Sequence, residues 1–66
     1  MTLTPLQRKA RLIEAGHSLT DIAESLELSV PHVSQVVAGE RRSTTVEAEV
    51  ARRLKMKPRE VFPARG

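Results

Sequence analysis

Apolar residues recur along the chain in short groups at helical spacing, and the polar breaks between them carry helix-end signals. Thr4-Pro5 reads as an N-cap followed by proline at the first helical position, where the missing N–H is not needed. Leu6, Ala10 and Ile13 then recur at helical spacing with Leu12 beside them, and Gly16 suits the left-handed residue that closes a helix. This predicts a first helix over residues 5–15. Ser18 is a second N-cap, with Asp21 favoured at the positive end of the dipole, and Leu19, Ile22, Ala23 and Leu26 form an apolar face. The second helix is predicted over 19–26. Glu27-Leu28-Ser29 interrupts the pattern, and Ser29 caps a third helix over 30–38, stopped by Gly39. Pro31 falls in its first turn, where proline is tolerated. Its valines at 33, 36 and 37 are poor helix formers, so packing must hold this segment.

Thr44-x-x-Glu47 has the form of a capping box, followed by a stripe of Val46, Val50, Ala51 and Leu54. The fourth helix is predicted over 45–54. Pro58 starts a last turn over 58–61, and Pro63 ends it. No alternating strand pattern of useful length is present. The fold class expected is all-α, a compact bundle of four to five short helices containing a helix-turn-helix, with residues 1–66 as one domain.

Composition narrows this picture. At 39% apolar, the 66-residue chain is too hydrophobic for a disordered tail. A domain of this size buries only about 60% of the surface its unfolded chain exposes, so it is near the lower limit for folding alone. There is no cysteine, hence no disulfide or thiolate-metal site. Phe62 is the only aromatic residue and is expected to fold back as a core plug. The longest apolar run, Val36-Val37-Ala38, is far short of the roughly 20 residues of a membrane span. It is also shorter than the stretch of about 7–15 in a signal peptide. A soluble, cytoplasmic protein without membrane contact is expected. The chain begins with Met1 and carries no visible tag, as a complete small protein would.

Charge is uneven. Residues 1–29 hold three basic and four acidic residues, net −1, whereas residues 30–66 hold eight and four, net +4. A basic half on an aromatic-poor domain favours a polyanionic partner, although an overall +3 is also an ordinary solubility charge. No serine-histidine-acid set, nucleophilic cysteine or phosphate-cradling glycine loop is apparent, so a non-enzyme without cofactor is expected. His17 and His32 lie too far apart for a zinc motif, and no metal site is expected. His17 follows a helix end, where it reads as a dipole partner.

The unit that carries function runs from Ser18 to Val36. Two short helices joined by about three residues pack at a steep angle, with Ala23 allowing close approach and Ile22, Leu26, Leu28, Val33 and Val36 as the wedge. The DNA major groove is about 12 Å wide and admits one such helix. Residues 16–39 resemble the helix-turn-helix of lambda-repressor-like (XRE) regulators, on Ile22-Ala23, Leu26, Ser29, Val33-Ser34, Val36 and Gly39. Residues 50–65 are similar to the tail of the phage Mu Ner group of small repressors. Two departures are Glu27, where the pattern usually has glycine and a left-handed residue is needed, and Pro31 inside the third helix.

The resemblance implies that Val30, Pro31, His32 and Gln35 meet bases. Gln35 has the amide to bond N6 and N7 of adenine, His32 is a donor for guanine N7 or O6, and Val30 and Pro31 offer apolar contact. Ser18, Leu19 and Thr20 would hold a phosphate at a helix N-terminus, with Ser34 on a second phosphate and Arg41, Arg42 and Ser43 as a further backbone clamp. Each has a plainer role beside it. Ser18 is a cap, His32 a solvated polar residue, Arg41-Arg42 a solvated loop, and Arg52-Arg53-Lys55-Lys57 helix-end charge.

The partner implied is double-stranded operator DNA, in two half-sites one helical turn apart, bound by a homodimer or by copies that pair only on DNA. No heptad seam marks a dimer surface, and Val37 or Phe62, if exposed, are guesses for it. Rival readings are an antitoxin, an architectural factor in recombination, and a helical adaptor that binds protein.

Overall fold

Each of the first four helices begins where a short side chain can serve the free amides of the first turn. The computed structural model describes residues 2–63 and holds five helices among them: α1 Pro5–Glu14, α2 Leu19–Leu26, α3 Val30–Val37, α4 Thr44–Leu54 and α5 Pro58–Val61. The ends agree with expectation to within one residue, and no strand occurs among the described residues. Thr4 caps α1 by accepting from the Gln7 amide at 3.2 Å, and the Gln7 side chain returns the bond to the Thr4 amide at 2.8 Å. Ser18 accepts from the Asp21 amide at 3.0 Å, and Ser29 from that of His32 at 3.3 Å. At α4 the cap is Ser43, not Thr44: its hydroxyl accepts from Val46 and its amide donates to Glu47. The acid thus serves a cap four residues back, one more than a capping box requires.

Left-handed residues close the first four helices. Gly16 and Gly39 both have φ +84, as expected of helix stops. Glu27 adopts φ 57 at the turn between α2 and α3, the conformation that its place in the pattern demanded. Lys55 does the same after α4.

The core is aliphatic. Leu12, Ile22, Ala23, Val33, Val36, Val37, Val46, Val50, Ala51 and Val61 are buried, with Phe62 seated among them as the plug expected from sequence. Helix α4 is the hub and touches the other four. Leu28, read as part of the wedge, is at the surface instead. Val37 and Phe62 are buried, which removes both as dimer-surface candidates.

The face of α1 differs from its apolar pattern. Leu6 and Ile13 are 79% and 64% exposed, and Ala10 is exposed as well. Leu12 and Arg8, one turn apart, point inward. Arg8 is only 2% exposed. Its Nε donates to the Val37 carbonyl at 2.8 Å, and its Nη1 to the carbonyls of Val61 at 2.9 Å and Leu3 at 3.0 Å. Val37 and Val61 are the last residues of α3 and α5, so their carbonyls lack helical partners and lie at the negative ends of the dipoles. A buried cation therefore takes the place of two helix caps. Burial, and then the Arg42 charge, lower the Arg8 pKa below the usual guanidinium range, while Glu47 opposes the shift. The two ends of the fold also meet, Leu3 N donating to Glu60 O at 3.0 Å.

Candidate nucleic-acid interface

Helix α3 has two faces. Val33, Val36 and Val37 are buried, and Val30, Pro31, Ser34 and Gln35 stand exposed on the opposite side. The spacing of the outer set (positions 1, 2, 5 and 6 of the helix) places it on one strip. His32 is half-buried at the flank of that strip. Pro31 does not break the helix, because at the second position its amide needs no carbonyl partner.

The expected phosphate contacts fall into two groups. In the first, Leu19 and Ser34 line one shallow cleft with Pro5, Leu6, Lys9, Val37 and Ala38. Ser18 and Thr20 are exposed on either side of Leu19 at the start of α2, where the first amides of the helix have no carbonyl to meet. Lys9, which the sequence reading passed over, lines this cleft and forms no ion pair among the described residues. Its signal was only its place next to Arg8, which turns inward and leaves Lys9 outward.

The second group lies after α3 and is committed within the chain. Arg42 forks onto Glu47, Nε to Oε2 at 3.0 Å and Nη2 to Oε1 at 3.3 Å, and Nη2 also donates to the Pro63 carbonyl at 2.8 Å. Ser43 is half-buried and uses its hydroxyl as the α4 cap. Arg41 is exposed, and its Nη1 is 2.7 Å from Nδ1 of His32. A residue of the expected backbone clamp thus touches a residue of the expected base-reading set.

On α4, two basic residues are internal partners. Arg52 and Arg53 both bind Glu49, at 2.6 and 2.7 Å. The bonds from Arg52 and then Arg53 hold the Glu49 carboxyl down to about 2, and the same carboxylate raises the pKa of Arg52. Arg53 Nη1 also lies 3.3 Å from His17 Nδ1. No group of three or more His, Asp or Glu side chains suited to a metal occurs among the described residues. Nor is any described helix long and apolar enough to cross a membrane. Ala64 and Arg65, part of the tail that resembles the Ner group, lie outside the described residues.

Two short helices joined by a tight left-handed turn, the second presenting an exposed strip over a buried valine face, define a helix-turn-helix DNA-binding domain. The chain belongs to the winged helix-turn-helix DNA-binding family, whose model matches residues 3–65. No curated protein and no solved structure matches it.

Proposed function

We propose that the protein is a sequence-specific regulator of transcription of the lambda-repressor-like kind, with a Ner-like tail, that represses by occupying operator DNA. Helix α3 reads the major groove, with Val30, Pro31, His32 and Gln35 at the bases. Ser18, Leu19, Thr20 and Ser34 contact phosphates around the cleft, joined by Lys9, and Arg41, Arg42 and Ser43 approach the backbone beyond α3. The observation that carries this reading is the exposed strip of α3 beginning at a capped N-terminus directly after the turn. A single module of this size buries about 600–1,000 Å² on DNA, so affinity is supplied by two copies on half-sites about 34 Å apart. The reading needs no catalytic group or cofactor, and places the protein in the cytoplasm with the DNA.

The test is anisotropy binding to DNA from the gene's own upstream region and to scrambled DNA, across a salt series. Tighter binding to the upstream duplex, with a steep salt slope on both, supports a sequence reader. Gln35→Ala is expected to lose roughly 1–3 kcal/mol on the preferred site and little on random DNA. Equal binding to both duplexes favours the architectural role. A protein-binding adaptor draws support from exposed Leu6 and Ile13 on α1, and no DNA affinity at low salt would bring it forward.

A further inference from the structure

The contact between Arg41 and His32 fixes more than the position of a side chain. Arg41 Nη1 lies 2.7 Å from His32 Nδ1. A guanidinium has five donors and no acceptor, and keeps its charge in proteins. At this contact the imidazole nitrogen is therefore the acceptor. A neutral imidazole that accepts at Nδ1 carries its proton on Nε2. No bond from Nε2 occurs among the described residues, so the ring has one donor left to offer.

We propose that Arg41 is a positioning residue that holds His32 as its Nε2–H tautomer, and that His32 in this form selects guanine in each half-site. The proposal rests on the reading of α3 as the recognition helix. Guanine alone presents two adjacent acceptors, N7 and O6, in the major groove. Adenine sets a donor amino group beside its N7, cytosine offers a donor, and thymine flanks its one acceptor with a methyl group. A histidine free to exchange tautomers can meet either a donor or an acceptor. One whose Nδ1 is occupied can only donate. Arg41 accordingly contributes to sequence preference through His32, in addition to any attraction for phosphate.

Two measurements on the full chain test this. The first is a long-range proton–nitrogen NMR correlation of the ¹⁵N-labelled free protein at neutral pH, which reads the tautomer without DNA. Wild type is expected to show His32 as Nε2–H alone. Arg41→Met should give a mixture, and Arg41→Lys, which keeps a donor, should restore the single form. A mixture in wild type, or no change in Arg41→Met, overturns the proposal. The second is selection from a randomised duplex library. Wild type is expected to enrich guanine at one position per half-site, and 7-deazaguanine there should weaken binding about tenfold. His32→Ala should lose that enrichment and Arg41→Met should reduce it, with other positions unchanged. Enrichment of sites without such a guanine, or an equal loss on all sequences in His32→Ala as for a phosphate contact, overturns this proposal but leaves α3 as the reader. Enrichment of no sequence overturns both.

Discussion

The guanidinium carbon of Arg8 lies 4.6 Å from the centre of the Phe62 ring, so the buried cation of α1 rests on the only aromatic face in the chain. Arg8→Met keeps much of the apolar stem but leaves the Leu3, Val37 and Val61 carbonyls without their donor. A loss of at least about 3 kcal/mol is expected from urea unfolding, since each buried unsatisfied group costs about 1–3 kcal/mol. Phe62→Leu should lose the ring contact, and a double-mutant cycle between the two positions should give a coupling of about 1–2 kcal/mol.

Arg42 and Glu47 form the second internal anchor. Glu47 is only 6% exposed, and Arg42 supplies two of its hydrogen bonds. Arg42→Ala should lower stability by about 1.5–3 kcal/mol, the range for a hydrogen bond to a charged group. If Arg42 also meets phosphate, the variant should weaken specific and random DNA alike and flatten the salt slope by about one unit. Thermal unfolding alongside binding separates the two effects.

Lys9 offers a cleaner electrostatic probe, because it is exposed and forms no ion pair among the described residues that folding would lose. Lys9→Ala should leave the melting temperature within about 2 °C, as expected for a surface change. It should reduce affinity for every duplex and lower the salt slope by about one unit. An unchanged salt slope would place the cleft away from the DNA backbone.

Glu49 sets an acid limit. Its carboxyl is held from 4.5 down to about 2 by Arg52 and Arg53, so the folded state binds its proton less readily than the unfolded chain. The contribution is therefore present in full above about pH 4.5 and is lost as the pH falls through about 2. Arg52 is 70% exposed, and solvent screening keeps the effect small. In urea titrations between pH 6 and 2, Glu49→Gln should flatten the acid side of the stability profile and leave the shape near neutrality unchanged.

Helix ends were legible in the sequence because their causes are local. Ser18, Ser29 and Gly39 act on amides and carbonyls within a few residues, and Glu27 stands where the helix-turn-helix pattern that the chain resembles usually has a left-handed glycine. Thr44 was misread for Ser43 because adjacent hydroxyl residues stand at nearly the same distance from Glu47, and only the backbone angles choose between them. The α1 face was misread for a longer-range reason. Apolar spacing favoured Leu6 and Ile13, whereas Arg8 is buried by carbonyls 29 and 53 residues further along the chain. In the candidate site, the valines of α3 marked its packed face, whereas the outward set was placed by the resemblance. The attachment of Arg42 to Glu47 and Pro63, and of Arg41 to His32, depends on how α4 and the last residues close over the loop.

The carbonyl that ends α3 is held by the same side chain that holds Leu3 and Val61. Helix α3 is thus moored at its far end, through Arg8, to both extremities of the fold. A genetic screen for lost operator binding should return lesions at Arg8, Val61 and Phe62 beside those at Gln35, although none of the three faces the duplex. Such lesions would pass for recognition mutants until their melting curves were taken.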